Sequence, residues 1–373
     1  MTKAAELAKM GEVITNSKIS GRRNLVLNGS MQVAQRGTSA TVASYGTVDR
    51  FTFPFDGSNS ITQSQGTLSS SDSPYADGFR HYARNTNTNT SSGTGTYAGI
   101  KTIIESQDMA QSGWEYTSTS STVTIQFWAR SSVAGTYYMN LRSDDTTAKN
   151  FTIPVALTAD TWKKITATVI GNSGLVFNND NGAGLSMIMW MHLGTDYTTS
   201  GHTTNAWQTN SGSDQAPDYS IDWRNTSAAT FDLTGIQLEV GSVATPFEHR
   251  SFGEERDLCY RYYVKYHAGG SGTFSRIALG YMRTTTNLRA LFTFPREMRS
   301  TPTLDDDNAG NYHVEDASGN SDVDATVASI SQGGFQTCLI NFTTGSITNN
   351  EPAHVGINNS TDALLGLGFD AEL

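Results

Sequence analysis

Charge is scarce in this chain of 373 residues: only 16% are Asp, Glu, Lys or Arg, and 25 basic residues face 35 acidic ones for a net charge of −10. The few Lys and Arg are scattered. A nucleic-acid groove needs a concentrated positive surface, and an anionic membrane attracts polybasic segments, so neither partner is expected. Cysteine is scarcer still. Two residues, Cys259 and Cys338, do not make a disulfide framework. Both sit in apolar contexts and read as buried thiols, with their pairing left open. Long hydrophobic runs are missing as well: the most apolar stretch, residues 185–193, is far too short to span a bilayer, so no membrane insertion is expected. No apolar h-region opens the chain, so no secretory signal is expected.

Catalytic signatures are missing too. There is no G-x-S-x-G elbow and no H-E-x-x-H helix. The seven histidines are dispersed; His192 and His202 have no cysteine near them, so zinc is not expected there. His81, His249 and His354 read as structural hydrogen-bonding residues. Glu105, Glu115, Asp144, Asp145, Asp218 and Asp222 are available acids, but nothing in the sequence pairs any two as a glycosidase requires. The run Asp305, Asp306, Asp307 reads as a solvated turn. The chain is therefore expected not to be an enzyme.

What is present is period-two alternation. Val123, Ile125, Phe127 and Ala129 alternate with Thr124, Gln126 and Trp128, giving one apolar and one mixed face. Tyr137, Met139 and Leu141 repeat the pattern, as do Phe151, Ile153 and Val155, and then Ile165, Ala167 and Val169. Residues 185–193 read as a strand packed on both faces. Short alternating strands with polar turns predict an antiparallel sandwich. The expected fold class is all-β: a β-jelly-roll sandwich, then a second, smaller β-domain. Ala4, Ala5, Leu7, Ala8 and Met10 suggest a short N-terminal helix or leader. The expected organisation is a leader at 1–23, a first domain at 24–240, a charged linker at 241–257 and a C-terminal β-domain at 258–373, with helix confined to the leader and the joint.

All six tryptophans fall before residue 224. Trp162 and Trp190 lie in apolar strands and read as core. Trp207 lies in the polar loop 197–218 with little apolar material to bury it, and Trp114 and Trp223 border turns. An indole platform flanked by Asn, Asp and Gln can stack on a sugar while polar groups orient its hydroxyls. Trp207, with Trp114 and Trp223, is thus the expected ligand-binding set; the opposing reading has these rings capping the sandwich ends.

The blocks NLVLNGSMQVAQRG, VDRF, TIQFWARS, GTYYMNLR, TWKKITATV and TFDLTGIQLEVGSVATPFEHRSFGEERDLCYRYY resemble phage tail-fibre and receptor-binding proteins of marine and cyanobacterial phages. Their order is also similar to that of carbohydrate-binding modules with a β-jelly roll. The resemblance implies a virion protein at the phage tail that adheres to a host cell-surface glycan, with a purely structural virion protein and a surface-glycan depolymerase as alternatives. It also implies a homotrimer, attachment to other phage tail proteins through residues 1–23, and a host surface polysaccharide as ligand. In such modules a structural Ca²⁺ often links the opening turn to the last strand. Asn28 matches the opening and Asp232 the closing position, so these are the metal ligands the resemblance implies. Gln32 stands where many modules carry Glu.

Overall fold

The computed structural model describes residues 23–57, 60–267, 275–306, 312–345, 347–348, 350–357 and 365–373. The N-terminal helix expected within residues 1–23 lies outside them, apart from Arg23. The chain divides into two compact units, Met1–Glu255 and Arg256–Leu373.

The first unit is a β-jelly-roll sandwich of two six-stranded antiparallel sheets. One sheet runs β1 (Ser39–Ala40), β3 (Ile61–Thr67), β4 (His81–Asn87), β12 (Thr230–Val240), β6 (Thr122–Ser131), β9 (Lys163–Ile170). The other runs β11 (Trp207–Thr209), β8 (Lys149–Leu157), β7 (Gly135–Ser143), β10 (Ala183–Leu193), β5 (Tyr97–Glu105), β2 (Phe51–Thr52). The alternating residues meet between the sheets. Val123, Ile125, Phe127 and Ala129 of β6 share one core with Tyr137, Met139 and Leu141 of β7 and with Phe151, Ile153 and Val155 of β8. Removing this apolar surface from water is the main stabilising term, at about 25 cal/mol per Å² buried. Strand β10 is buried on both faces: Leu185, Met187, Met189 and Met191 enter the main core, while Ile188, Trp190 and Leu193 form a second cluster on the outer face. Pro54 follows β2, which lies at a sheet edge, where a missing N–H costs no ladder bond.

Helix is not confined to the leader and the joint. Two single-turn helices, α1 (Ser73–Ala76) and α2 (Ser106–Ala110), also lie in the first unit, before α3 (Phe252–Cys259). Pro74 in the first turn of α1 presets the helical φ. Up to Glu255, the charged segment expected as a linker is fastened to the first unit. Gln126 Nε2 donates to the Thr245 carbonyl at 2.6 Å, and Glu248 accepts from the backbone N–H groups of Arg23 and Asn24 at 3.1 and 2.8 Å. Within this segment Arg250 pairs with Glu248 at 2.7 Å and with Glu255 at 3.2 Å.

The second unit contains a three-stranded sheet, β13 (Tyr263–His267), β21 (Gly366–Asp370), β16 (Thr303–Asp306). It also contains a closed antiparallel barrel, β14 (Ser275–Thr284), β15 (Asn287–Thr293), β19 (Thr337–Thr343), β18 (Ser321–Gly333), β17 (Tyr312–Asp316), β20 (Pro352–Ile357). Met282, Leu288, Phe292, Tyr312, Val314, Ile340, Phe342 and Val355 fill the interior. Cys259 and Cys338 are buried and are not joined in a disulfide, and burial pushes the Cys338 thiol above its ordinary value. Asp305 and Asp306 are not a solvated turn. They lie on β16 and accept hydrogen bonds at 2.8 Å from the Tyr263 and Tyr312 hydroxyls; Asp307 lies outside the described residues.

Candidate functional site

The outer face of β10 organises a cleft. Trp190 and Ile188 point away from the main core and are covered by Ala216, with Tyr219 packed against them. A register shift between Trp190 and His192 then re-aims the strand end. Beyond it, three segments far apart in sequence surround an open cleft of about 340 Å³: residues 92–94, residues 192–198 and residues 218–222. The polar groups at its wall come from Thr94, His192, Thr198, Asp218 and Asp222, with the Tyr219 ring supplying apolar area.

Its wall mixes carboxylates, hydroxyls, an imidazole and an aromatic ring. Thr198 Oγ1 donates to Asp218 Oδ1 at 2.8 Å, which fixes one carboxylate at the rim. The Tyr219 hydroxyl donates to the Trp190 carbonyl at 3.1 Å, and the ring stands edge-on to Tyr138 with centroids 5.0 Å apart. His192 is 8% exposed. Its Nε2 lies 3.0 Å from Thr96 Oγ1, whereas Nδ1 is buried without a hydrogen-bond partner and lies 4.0 Å from Asp222 Oδ1. Burial is the main cause holding this imidazole below its ordinary pKa; Asp222 works against the shift and Arg224 with it. A buried polar atom with no partner is costly. Thr96 Oγ1 donates to the Gly93 carbonyl at 2.8 Å, so it accepts from Nε2–H and leaves Nδ1 as the acceptor; a hydroxyl donating to Nδ1 would satisfy it.

No family model matches the chain, and no curated protein matches it. Among solved structures it is similar to a family 11 carbohydrate-binding module from Clostridium thermocellum in complex with a beta-1,3-1,4-mixed-linked tetrasaccharide. The identity is 9%, over 56% of this chain and 98% of that one, with a TM-score of 0.27. It is similar to a family 16 carbohydrate-binding module at 11% identity, over 58% of this chain and 99% of that one, with a TM-score of 0.26. A cyclase from Fischerella sp. TAU is similar at 11% identity, over 60% of this chain and all of that one, with a TM-score of 0.36. Likenesses at these identities and scores carry no argument about ligand or activity.

The expected tryptophan platform is not formed. Trp223 is fully buried at 0% exposure and Trp114 is buried at 3%, both within the main core. Trp114 packs against Tyr116 and Phe177 with ring centroids 6.3 and 6.4 Å away, and Trp223 Nε1 donates to the Thr230 carbonyl at 3.2 Å. Trp207 is half-buried. Its Nε1 donates to the Ile170 carbonyl at 2.7 Å, and its ring stands edge-on to Phe151 at 5.4 Å. It fastens the short edge strand β11 rather than presenting a free face. Trp207→Ala is therefore expected to lower the stability of the first unit by about 2 kcal/mol, below the full-burial range for a large aromatic. A urea-unfolding midpoint unchanged from wild type would refute this anchoring role.

The calcium ligands are also committed elsewhere. Asp232 is fully buried, and both its oxygens are taken: Arg84 Nε lies 2.6 Å from Oδ1, and Arg84 Nη2 and Arg130 Nε lie 2.9 and 2.8 Å from Oδ2. Two guanidiniums already supply the positive charge that a cation would bring. Asn28 adopts left-handed backbone at φ 55°. Its Oδ1 accepts from the Val33 N–H at 3.0 Å, and Nδ2 donates to the carbonyls of Val33 and Asp49 at 2.9 and 2.8 Å. The opening turn is instead tied down by protein groups. Asn28 N–H donates to Glu255 Oε1 at 2.6 Å, Arg250 bridges Glu255 and Glu248 at 3.2 and 2.7 Å, and Gln32 donates to the Arg250 carbonyl at 3.3 Å. A Cβ on Gly29 would sit 2.1 Å from the Ile236 carbonyl oxygen, so only glycine lets the turn approach β12.

His192 and His202 take separate partners: His202 Nδ1 contacts Asp214 and Nε2 contacts Thr152 Oγ1, each at 2.7 Å. Asp218 and Asp222, which nothing in the sequence paired, line the same cleft. The only local signal was the stretch PDYSIDW, in which acids flank an aromatic residue.

Proposed function

We propose that the first unit is a saccharide-binding module and that the chain is a non-catalytic virion protein of the phage tail, adhering to a host cell-surface glycan. The cleft carries the binding half of this reading. It sets acceptor carboxylates, hydroxyls and an unpartnered buried imidazole nitrogen beside an aromatic ring, the mixture that recognises a hydroxyl-rich, weakly apolar ligand. A volume of about 340 Å³ is at the small end of ligand pockets, suited to one or two sugar rings. Exposed carboxylates at Asp218 and Asp222, together with the net charge of −10, select a neutral or cationic saccharide over an anionic one. The tail-fibre half rests on the sequence blocks quoted above. In that setting residues 1–23 attach to other tail proteins, and a homotrimer multiplies weak single-site binding through avidity.

The test is titration of the full-length chain against a panel of neutral, amino and acidic oligosaccharides, followed by the double variant Asp218→Asn/Asp222→Asn. Each lost charge-assisted hydrogen bond is worth about tenfold in affinity. Binding should fall at least that far while the melting temperature stays within about 2 °C, since both carboxylates are exposed. Undiminished binding would remove the cleft as the site, and no binding to any panel member would favour a purely structural virion protein. Two carboxylates in one cleft also give the depolymerase reading an observable: release of new reducing ends during the titration would reassign the cleft to hydrolysis.

A further inference from the structure

The second unit brings together three side chains that the saccharide reading does not use. His313 and Glu315 are two residues apart on β17, so they share a face, opposite to the core residues Tyr312 and Val314. Register places His354 of β20 directly across from Glu315. The residue across from His313 is Gly356, which carries no side chain. His313 Nε2 and His354 Nε2 each lie 3.4 Å from Glu315 Oε2, and the three ligand atoms all fall within 4.8 Å of one another. A tetrahedral ion with ligand bonds of about 2.0–2.2 Å spaces its ligand atoms by about 3.3–3.5 Å. The two histidine–carboxylate distances already have that spacing.

A cationic group occupies the neighbourhood. Arg276 Nε donates to His354 Nε2 at 3.0 Å, and Arg276 Nη2 lies 3.8 Å from Glu315 Oε2. The accepted hydrogen bond means that His354 Nε2 carries its lone pair toward the cluster, the form that ligates a metal. The arginine side chain is 63% exposed, so it can swing into solvent with little loss of packing.

We propose that His313, Glu315 and His354 form a binding site for a divalent transition ion of the Zn²⁺ class, with Arg276 as the competing cation. Two imidazoles and one carboxylate suit Zn²⁺, whereas Ca²⁺ and Mg²⁺ take all-oxygen sets. Three protein ligands leave a fourth position open to water or to an oxygen donor of a bound partner. The ion would tie β17 to β20 and stabilise the barrel by mass action. The alternative is a simple His–Glu–Arg network on the barrel wall, and the two accounts predict opposite behaviour at Arg276.

The experiment is calorimetric titration of Zn²⁺ into the full-length protein after chelation and dialysis, repeated with Co²⁺ while recording its visible absorption. One saturable equivalent per chain is expected, with the intense absorption of a low-coordinate cobalt site. Glu315→Gln and His354→Ala should each weaken binding at least tenfold. His249→Ala, in the first unit, should leave it unchanged. Arg276→Ala should tighten it several-fold, because the competitor is gone, and this exposed position keeps the test usable if a ligand variant fails to fold. No saturable equivalent in the wild type, full binding in His354→Ala, or weaker binding in Arg276→Ala would each overturn the proposal. Saccharide titrations of the first unit are independent of all these outcomes.

Discussion

Trp223→Ala is expected to destabilise the first unit by about 3–5 kcal/mol, a large part of the usual stability of a domain. The indole is fully buried at 0% exposure, among the largest side chains enclosed in the molecule, and belongs to the main core. Its Nε1 donates to the Thr230 carbonyl at 3.2 Å, so truncation opens a cavity and leaves that acceptor without its indole donor. The neighbouring Arg224 is 1% exposed and fastens the same turn, with Nε 3.0 Å from Asp56 Oδ1 and Nη1 2.8 Å from Asn87 Oδ1. Asn87 Nδ2 in turn donates to the carbonyls of Arg224 and Thr226, both at 2.8 Å. Residues 223–226 are therefore a plug with an apolar and a polar anchor. Urea unfolding of the variant should show a lower midpoint. If the variant unfolds at the wild-type midpoint, the plug is not structural, and the indole must be able to leave the core and present a free face to a ligand.

The second large effect is at Asp232. Asp232→Ala should cost about 3 kcal/mol, at the low end of the range for breaking a buried ion pair. The carboxylate side chain is 1% exposed, but its partners Arg84 and Arg130 are 30% and 20% exposed and can partly rehydrate. Its hydrogen bonds hold the Arg84 guanidinium above its ordinary pKa. Arg130 extends the network to Asp72 at 3.0 Å, and Asp72 also accepts from Trp162 Nε1 at 2.9 Å, so the loss spreads over the outer face of the sheet. Calcium ligation and an arginine clamp separate under a chelator. With chelator present throughout, the clamp predicts that the wild-type first unit melts as before and that only the substitution lowers its transition. A fall in the wild-type transition on chelation, with Asp232→Ala no worse than chelated wild type, would restore the ion.

The sequence by itself determined the all-β class, the core-facing residues of β6, β7 and β8, and the double burial of β10. Those are consequences of alternation, a local property fixed by the two-residue period of a strand. In the structure the opening and closing blocks meet: Asn24 Oδ1 accepts from the Leu238 N–H at 3.1 Å and Asn24 Nδ2 donates to the Ile236 carbonyl at 3.1 Å. What the sequence left undetermined depends on contacts between distant segments. Trp223 and Trp207 sit in polar stretches with nothing local to bury them, and their apolar cover came from strands elsewhere in the chain. Asp232 matched a ligand position of a resembling family, but antiparallel register set Arg84 and Arg130 directly across from it, one on each side. The cleft of His192, Asp218 and Asp222, and the cluster of His313, Glu315 and His354, exist only because loop return and strand register bring their segments together. A side chain's period tells which way it points. What stands opposite is decided by tertiary structure alone, because pairing energy is a property of two segments that the sequence does not place side by side.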